Sequence, residues 1–314
     1  MIFSRIQILG MLAFGCCIGI LLSCTRAEIV YIRDPKGLVQ IYLEYSGDTL
    51  PDIEYYFYNA GDSEAEPLRF ESTDDEGNFE GELPVGVYRV IATNTGASHV
   101  EFTGSENYTD FIVKAANPDD AGVRAAEDYT MLLQPDSVYS IVVGELSVTD
   151  NDTIRKDTVP VLLTKQLNLE FVMEDGLGTE TVSMTGLLPG VYPGVYLYTR
   201  AGWQIEDSPE RAVNFETVAE GSDKRKAKIL LFGVLDPEYG ATYTNVMELY
   251  LTMTDERVVT AKVDLTTILS DAIANHNGVI PWDIPVSIHV EKTSIGVGAE
   301  VEGWVEEGED IKED

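Results

Sequence analysis

Gly81-Glu82-Leu83-Pro84-Val85-Gly86-Val87-Tyr88-Arg89-Val90-Ile91-Ala92-Thr93-Asn94 is the stretch that decides the fold. Two extended runs, 79–83 and 86–94, bracket the turn Pro84-Val85-Gly86. Proline presets φ there, and glycine frees the backbone after it. The second run is rich in β-branched and aromatic residues, which fit a pleated, half-buried surface.

The same grammar continues outward. Upstream, 38–45 places Val39, Ile41 and Leu43 on one face, 53–58 follows, and 67–72 leads into the polar turn 74–78. Downstream, strands are expected at 109–114, 128–133 and 138–148, then at 159–163, 167–172, 181–188, 193–198, 211–216, 226–232 and 245–253. Two more, 285–290 and 294–305, close the chain. Turn residues between short strands indicate β-sandwiches, not βαβ units.

One helix is expected, at about 264–276. Asp264 can cap it, and Leu265, Ile268, Leu269, Ala272 and Ile273 recur with helical spacing before Asn277-Gly278 ends it. The polar run Thr149-Asp150-Asn151-Asp152-Thr153, with Arg155-Lys156-Asp157, reads as a loop between two domains. The expected organisation is all-β: residues 1–23 a signal peptide, 24–36 a tether, 37–155 an N-terminal β-sandwich, 156–305 a C-terminal β-sandwich, and 306–314 an acidic tail. Leu83-Pro84-Val85-Gly86-Val87-Tyr88 and Leu188-Pro189-Gly190-Val191-Tyr192 echo each other, a weak sign of two related domains.

The N-terminus carries an address. Arg5 precedes an uncharged apolar stretch, 6–22, and small residues follow. This is the layout of a secretory signal, not of a spanning helix. The ending Leu21-Leu22-Ser23-Cys24 resembles the bacterial lipobox, whose cysteine receives the lipid. The other cysteines, Cys16 and Cys17, lie inside the signal, so Cys24 is the one cysteine beyond it and no disulfide is expected.

With 21 cations against 54 acids, the net charge is −33. Nucleic-acid binding needs the opposite sign. Anionic headgroups would repel this chain, so its attachment to a membrane is expected to depend on the lipid at Cys24.

Chemistry-bearing patterns are sparse. His99, His276 and His289 lack metal-ligand spacing, so no metal is expected. No nucleophile elbow, phosphate loop or dinucleotide fingerprint occurs, so neither catalytic residues nor a cofactor is assigned. Asp74-Asp75-Glu76-Gly77-Asn78 lacks the ligand positions of a calcium loop and reads as a solvated turn. Asn117-Pro118-Asp119-Asp120 reads as a loop breaker. Tyr42, Tyr45, Tyr55, Tyr56, Tyr58 and Tyr88, with Trp203, Trp282 and Trp304, are either strand residues or platforms for sugars.

Several strings, in order, resemble the fimbrillin-A-associated anchor lipoproteins of Bacteroidales and their wider fimbrillin-like group. They are 81–94, Thr185-Gly186-Leu187-Leu188-Pro189-Gly190-Val191, Leu230-Leu231-Phe232-Gly233-Val234, Ala261-Lys262-Val263-Asp264-Leu265-Thr266 and Val297-Gly298-Ala299-Glu300-Val301-Glu302-Gly303-Trp304. The resemblance implies two transthyretin-like sandwiches, an outer-membrane anchor with lipid at Cys24, fimbrial subunits as partners, a role in cell adhesion and no enzyme activity. It also implies assembly by β-strand complementation, in which a neighbour's strand adds to a sheet. A protease cuts shaft subunits of that group after Arg or Lys; the basic residues in the tether here are Arg26 and Arg33. The rival expectation is a surface glycan-binding lipoprotein with aromatic platforms. Asp136-Ser137-Val138, Asp152-Thr153-Ile154 and Asp157-Thr158-Val159, with Asp48-Thr49-Leu50, fit a degenerate O-glycosylation pattern of Bacteroides. Ser294 to Val305 is the candidate for an exchangeable strand.

Overall fold

The structure, a computed structural model, describes residues 34–45, 52–118, 129–203, 210–235, 245–275, 283–293 and 296–304. The signal peptide, Cys24, Arg26, Arg33, Asp119, Asp120, His276, Trp282 and the acidic tail lie outside them. The described chain is nearly all strand, as the periodicity predicts.

Strand β1 (Lys36–Leu43) lies between β4 (Phe79–Pro84) and β10 (Thr153–Thr158) in a three-stranded sheet. Facing it is a five-stranded sheet in the order β11-β9-β5-β2-β3, built from β2 (Ile53–Asn59), β3 (Leu68–Glu71), β5 (Gly86–Asn94), β9 (Tyr139–Val148) and β11 (Val161–Leu162). The turn at Pro84-Val85-Gly86 therefore carries the chain from one sheet to the other, since β4 pairs with β1 while β5 pairs with β2 and β9. Val39, Ile41, Phe79 and Leu83 meet Tyr55, Phe57, Val90 and Ile141 in the core between the sheets.

A second pair of five-stranded sheets follows. One has the order β17-β18-β12-β21-β22, from β12 (Lys165–Met173), β17 (Val218–Glu220), β18 (Lys224–Leu231), β21 (Asp283–Thr293) and β22 (Gly296–Trp304). The other has the order β20-β19-β13-β16-β8, from β8 (Tyr129–Leu132), β13 (Thr181–Pro189), β16 (Glu210–Glu216), β19 (Val246–Met253) and β20 (Val258–Asp264). Leu169, Phe171 and Ile288 pack against Met184, Leu188, Phe215 and Leu249 between them. A four-stranded sheet combines β6 (Val100–Thr103) and β7 (Ile112–Ala115) with β14 (Gly194–Tyr196) and β15 (Gly202–Trp203).

Long crossovers shape this arrangement. β8 joins β16 in parallel, so residues early in the chain sit at the edge of a sheet made by later ones. β12 and β21 are parallel too. Strand β2 reads as an almost continuous aromatic run because both of its faces are covered. Tyr55 and Phe57 belong to the first core, whereas Tyr56 and Tyr58 join the second with Ile91 and Phe111. A strand buried on both sides loses the apolar/polar alternation of a half-solvated one.

Two expectations need correction. Residues 153–158 are not a loop but strand β10, paired in parallel with β1. Only Ile154 of this edge strand packs on the core, so it has no apolar alternation to announce it, and four of the six residues of β10 are exposed. The helical content is also more than one segment. A four-residue turn, α1 (Leu177–Glu180), starts after Gly176 at φ 73° and buries Leu177. It is too short for periodicity to reveal.

The expected helix is α2 (Thr266–Asn275). Asp264 accepts a hydrogen bond from the Thr266 N–H at 2.9 Å, as a capping side chain does. Leu265 and Leu269 enter the second core, with Ile268 packed on it; the side chains of Ala272 and Ile273 and the pair Asn277-Gly278 lie outside the described residues. Leu269→Ala should cost about 2–5 kcal/mol, the range for emptying a buried leucine site. Urea unfolding checks this, and a cost near zero would mean that α2 is not docked.

Candidate subunit-docking edge

The sequence candidates scatter. His99 sits at φ 60° with Nδ1 3.1 Å from the Gln134 carbonyl oxygen, and His289 Nδ1 lies 2.7 Å from Glu174 Oε1. No group of three His, Cys, Asp or Glu side chains among the described residues could hold a metal. In the 74–78 turn, Asp74 Oδ1 accepts the N–H groups of Glu76 and Asn78, and Asp74 Oδ2 accepts from Asn78 Nδ2. This carboxylate is occupied in shaping its own turn, which continues into an open cleft of about 870 Å³ beside Asp52, Glu54, Glu71 and Asp75. Among the described residues no aromatic ring lines that cleft.

The aromatic residues are mostly structural. Tyr55, Tyr56, Tyr58 and Tyr88 are buried. Tyr42 lies under the Arg155 guanidinium at 4.4 Å, and Trp203 under the Lys114 ammonium at 4.6 Å. Tyr45 and Tyr139 meet edge to face at 80° and share a 2.9 Å hydrogen bond between their hydroxyls. Tyr196 and Tyr198 also meet near perpendicular, at 77°. These rings contact cations or one another, and of them Tyr45 is exposed.

Burial, and then the bond to Tyr45, pushes the Tyr139 phenol up to about 12. Burial also raises Tyr55, Tyr56 and Tyr58, with the Glu54 carboxylate reinforcing the shift at Tyr56. A phenol raised in the fold contributes stability that is complete below its unfolded value of 10.0 and is lost as pH climbs towards the folded one. The denaturant midpoint should therefore decline from pH 10 upward, with tyrosinate absorbance appearing late. A midpoint that stays flat through this range would contradict the buried placement of these rings.

The sheet edges carry the clearest contrast. Edge strands invite foreign strands unless charge, shortness or cover prevents it. β10 carries Arg155, Lys156 and Asp157; β4 carries Glu80 and Glu82; β3 carries Arg69 and Glu71. β6, β17, β20 and β22 hold Glu101, Glu220, Lys262 and Glu300. β11 and β15 are two residues long. Among the described residues β8 alone is a longer edge without a charge, as Tyr129-Thr130-Met131-Leu132.

β8 borders a small buried apolar cluster. Met131, Leu187 and Ala212 cluster on the face of the sheet turned away from the main core, with Tyr129 and Tyr250 packed against them. Next to β8, in register with Tyr129, stands Glu210. Its Oε1 is buried without a hydrogen-bond partner among the described residues, and burial raises its pKa. An acceptor left unpaired is costly until a donor arrives. By contrast, β22 already completes its own sheet along β21, and Val297, Ala299 and Val301 pack on the core. The strand expected at 128–133 is β8, but nothing in the sequence marked it as an edge, because that position depends on strands formed some eighty residues later.

Residues 23–202 match a family described as a domain of unknown function, DUF5119. The chain belongs to the DUF5119 family. No curated protein matches this DUF5119 chain. Among solved structures, a candidate adhesin from Bacteroides ovatus aligns with a TM-score of 0.61 at 18% identity, covering 87% of this chain and 94% of that one. The fimbrial anchor protein Mfa2 from Porphyromonas gingivalis aligns at 0.53 and 10% identity, covering 86% and 98%. A candidate polysaccharide-binding protein from Bacteroides thetaiotaomicron aligns at 0.51 and 14%, covering 86% and 96%. At these identities the likeness is one of fold.

Proposed function

We propose that this DUF5119 protein is a non-catalytic fimbrial anchor or accessory subunit, lipid-anchored at Cys24 on the outer membrane at the cell surface, that takes part in adhesion. In this reading its two sheet pairs serve as an N-terminal unit that keeps β10 and β11 and a C-terminal unit that starts at β12, with β8 lent by the first to the second. A partner subunit adds a strand to β8 by β-augmentation. The uncharged edge of β8 carries the reading: every other longer edge among the described residues is guarded by charge, and this one borders a buried apolar cluster and the unpaired Glu210 oxygen. Backbone ladders would supply affinity, and alternate side chains would set the register. The shared fold with Mfa2 and a candidate adhesin supports the choice of function class.

Site-specific cross-linking on intact cells tests it. A photoreactive side chain at Thr130 should capture a fimbrial subunit, whereas the same group at Lys156 on the charged β10 edge should not. Equal capture at both positions, or none at Thr130 in cells that assemble fimbriae, would dismiss this edge as the docking site.

A further inference from the structure

We infer that β1 and β10 form a shear clamp through which the anchored chain bears tension. The inference gives the anchoring reading above its mechanical consequence and rests on it for its purpose.

The geometry is unusual for a first strand. β1 follows the tether directly, so a pull on Cys24 enters the fold at Lys36. There β1 is flanked on both sides, by β4 in antiparallel and by β10 in parallel register from Leu38↔Thr153 to Leu43↔Thr158. Both ends of the parallel ladder are closed, by Leu38 N–H donating to the Asp152 carbonyl at 2.8 Å and Glu44 N–H donating to the Thr158 carbonyl at 2.8 Å. Asn151 N–H also reaches the Lys36 carbonyl at 2.9 Å. Val39 and Ile41 are fully buried, and the Arg155–Tyr42 contact ties the two strands on their outer side.

Direction decides what this ladder resists. Beyond Thr158 the chain passes through β11 into β12 and the second sheet pair. Tension between the tether and the chain beyond Thr158 draws β1 towards its N-terminus and β10 towards its C-terminus. Because the strands are parallel, these pulls act at opposite ends, and the strands must slide past each other. All six register pairs are then strained together. Had the two strands been antiparallel, the same pulls would meet at one end and open the ladder one pair at a time. Forced unfolding is governed by the barrier along the pulled direction, not by total stability.

A constant-force optical trap on the whole chain from residue 24 tests this. The native Cys24 is the one cysteine in that chain, so it provides one handle. The second is Val159→Cys, just past β10, or Val85→Cys, beside the Lys36↔Pro84 end of β1; both valines are exposed. The first pair shears the β1–β10 ladder, and the second opens the antiparallel β1–β4 ladder from one end. The sheared chain should survive at least about tenfold longer at equal force, the factor that about 1.4 kcal/mol of barrier gives. Equal lifetimes in the two directions would overturn the clamp.

A substitution pair locates the effect. The Leu38–Asp152 bond fixes the alternation of the ladder, so the Lys156 N–H faces β1 and the Asp157 N–H faces solvent. Lys156→Pro should shorten the sheared lifetime about tenfold, the factor for about 1.4 kcal/mol of barrier, and Asp157→Pro should leave it unchanged. A Lys156→Pro chain that folds and holds as long as the parent would also overturn the clamp. If that chain does not fold, the comparison of pulling directions decides alone. The trap contains no membrane, so these outcomes are separate from failure of anchoring, which is read by membrane fractionation.

Discussion

Cys24→Ala is expected to move the protein from the membrane fraction to the soluble one. The chain carries a net charge of −33, which anionic headgroups repel. No helix among the described residues is long and apolar enough to cross a bilayer. Each lipid methylene buried contributes about 0.8 kcal/mol, and two or more acyl chains give stable attachment where one is marginal. Removing the acceptor thiol should therefore remove essentially all of the affinity. Carbonate-washed membranes from cells making the parent and the variant supply the measurement. A Cys24→Ala protein retained as fully as the parent would end the lipid-anchor reading, while leaving the β8 edge to be judged by cross-linking.

The largest effect on stability is expected for Phe57→Ala. Phe57 is 0% exposed and lies at the centre of the first core. Its ring centroid is 5.0 Å from Phe79, 5.8 Å from Phe70, 6.3 Å from Tyr55 and 6.4 Å from Tyr88. Truncation removes the apolar contacts and leaves a cavity that four rings cannot collapse into without leaving their rotamers. The cost should be about 3–5 kcal/mol, a large part of the roughly 5–15 kcal/mol that holds a typical protein folded. Equilibrium urea unfolding, with near-UV circular dichroism to follow ring packing, reads it. A loss under about 1 kcal/mol, ordinary for a surface change, would mean that Phe57 is not in that core.

The sequence by itself determined the local elements. Alternation of Val39, Ile41 and Leu43, the Pro84-Val85-Gly86 turn, and the Asp264 cap before Leu265 and Leu269 are short-range signals, and each element formed where its pattern lay. Period and capping act over a few residues, so they can be read without knowing the partner strand. Tertiary structure decided which strands pair. The parallel union of β1 with β10, the loan of β8 to β16, and the burial of β2 on both faces each join residues far apart in the chain. A strand's alternation fixes which face is apolar, but burial of that face can be achieved against many partners, and chain closure selects among them. The charged run 153–158 shows the limit most plainly. Its backbone hydrogen bonds to β1 make it a strand, with Ile154 the one apolar side chain that it turns to the core.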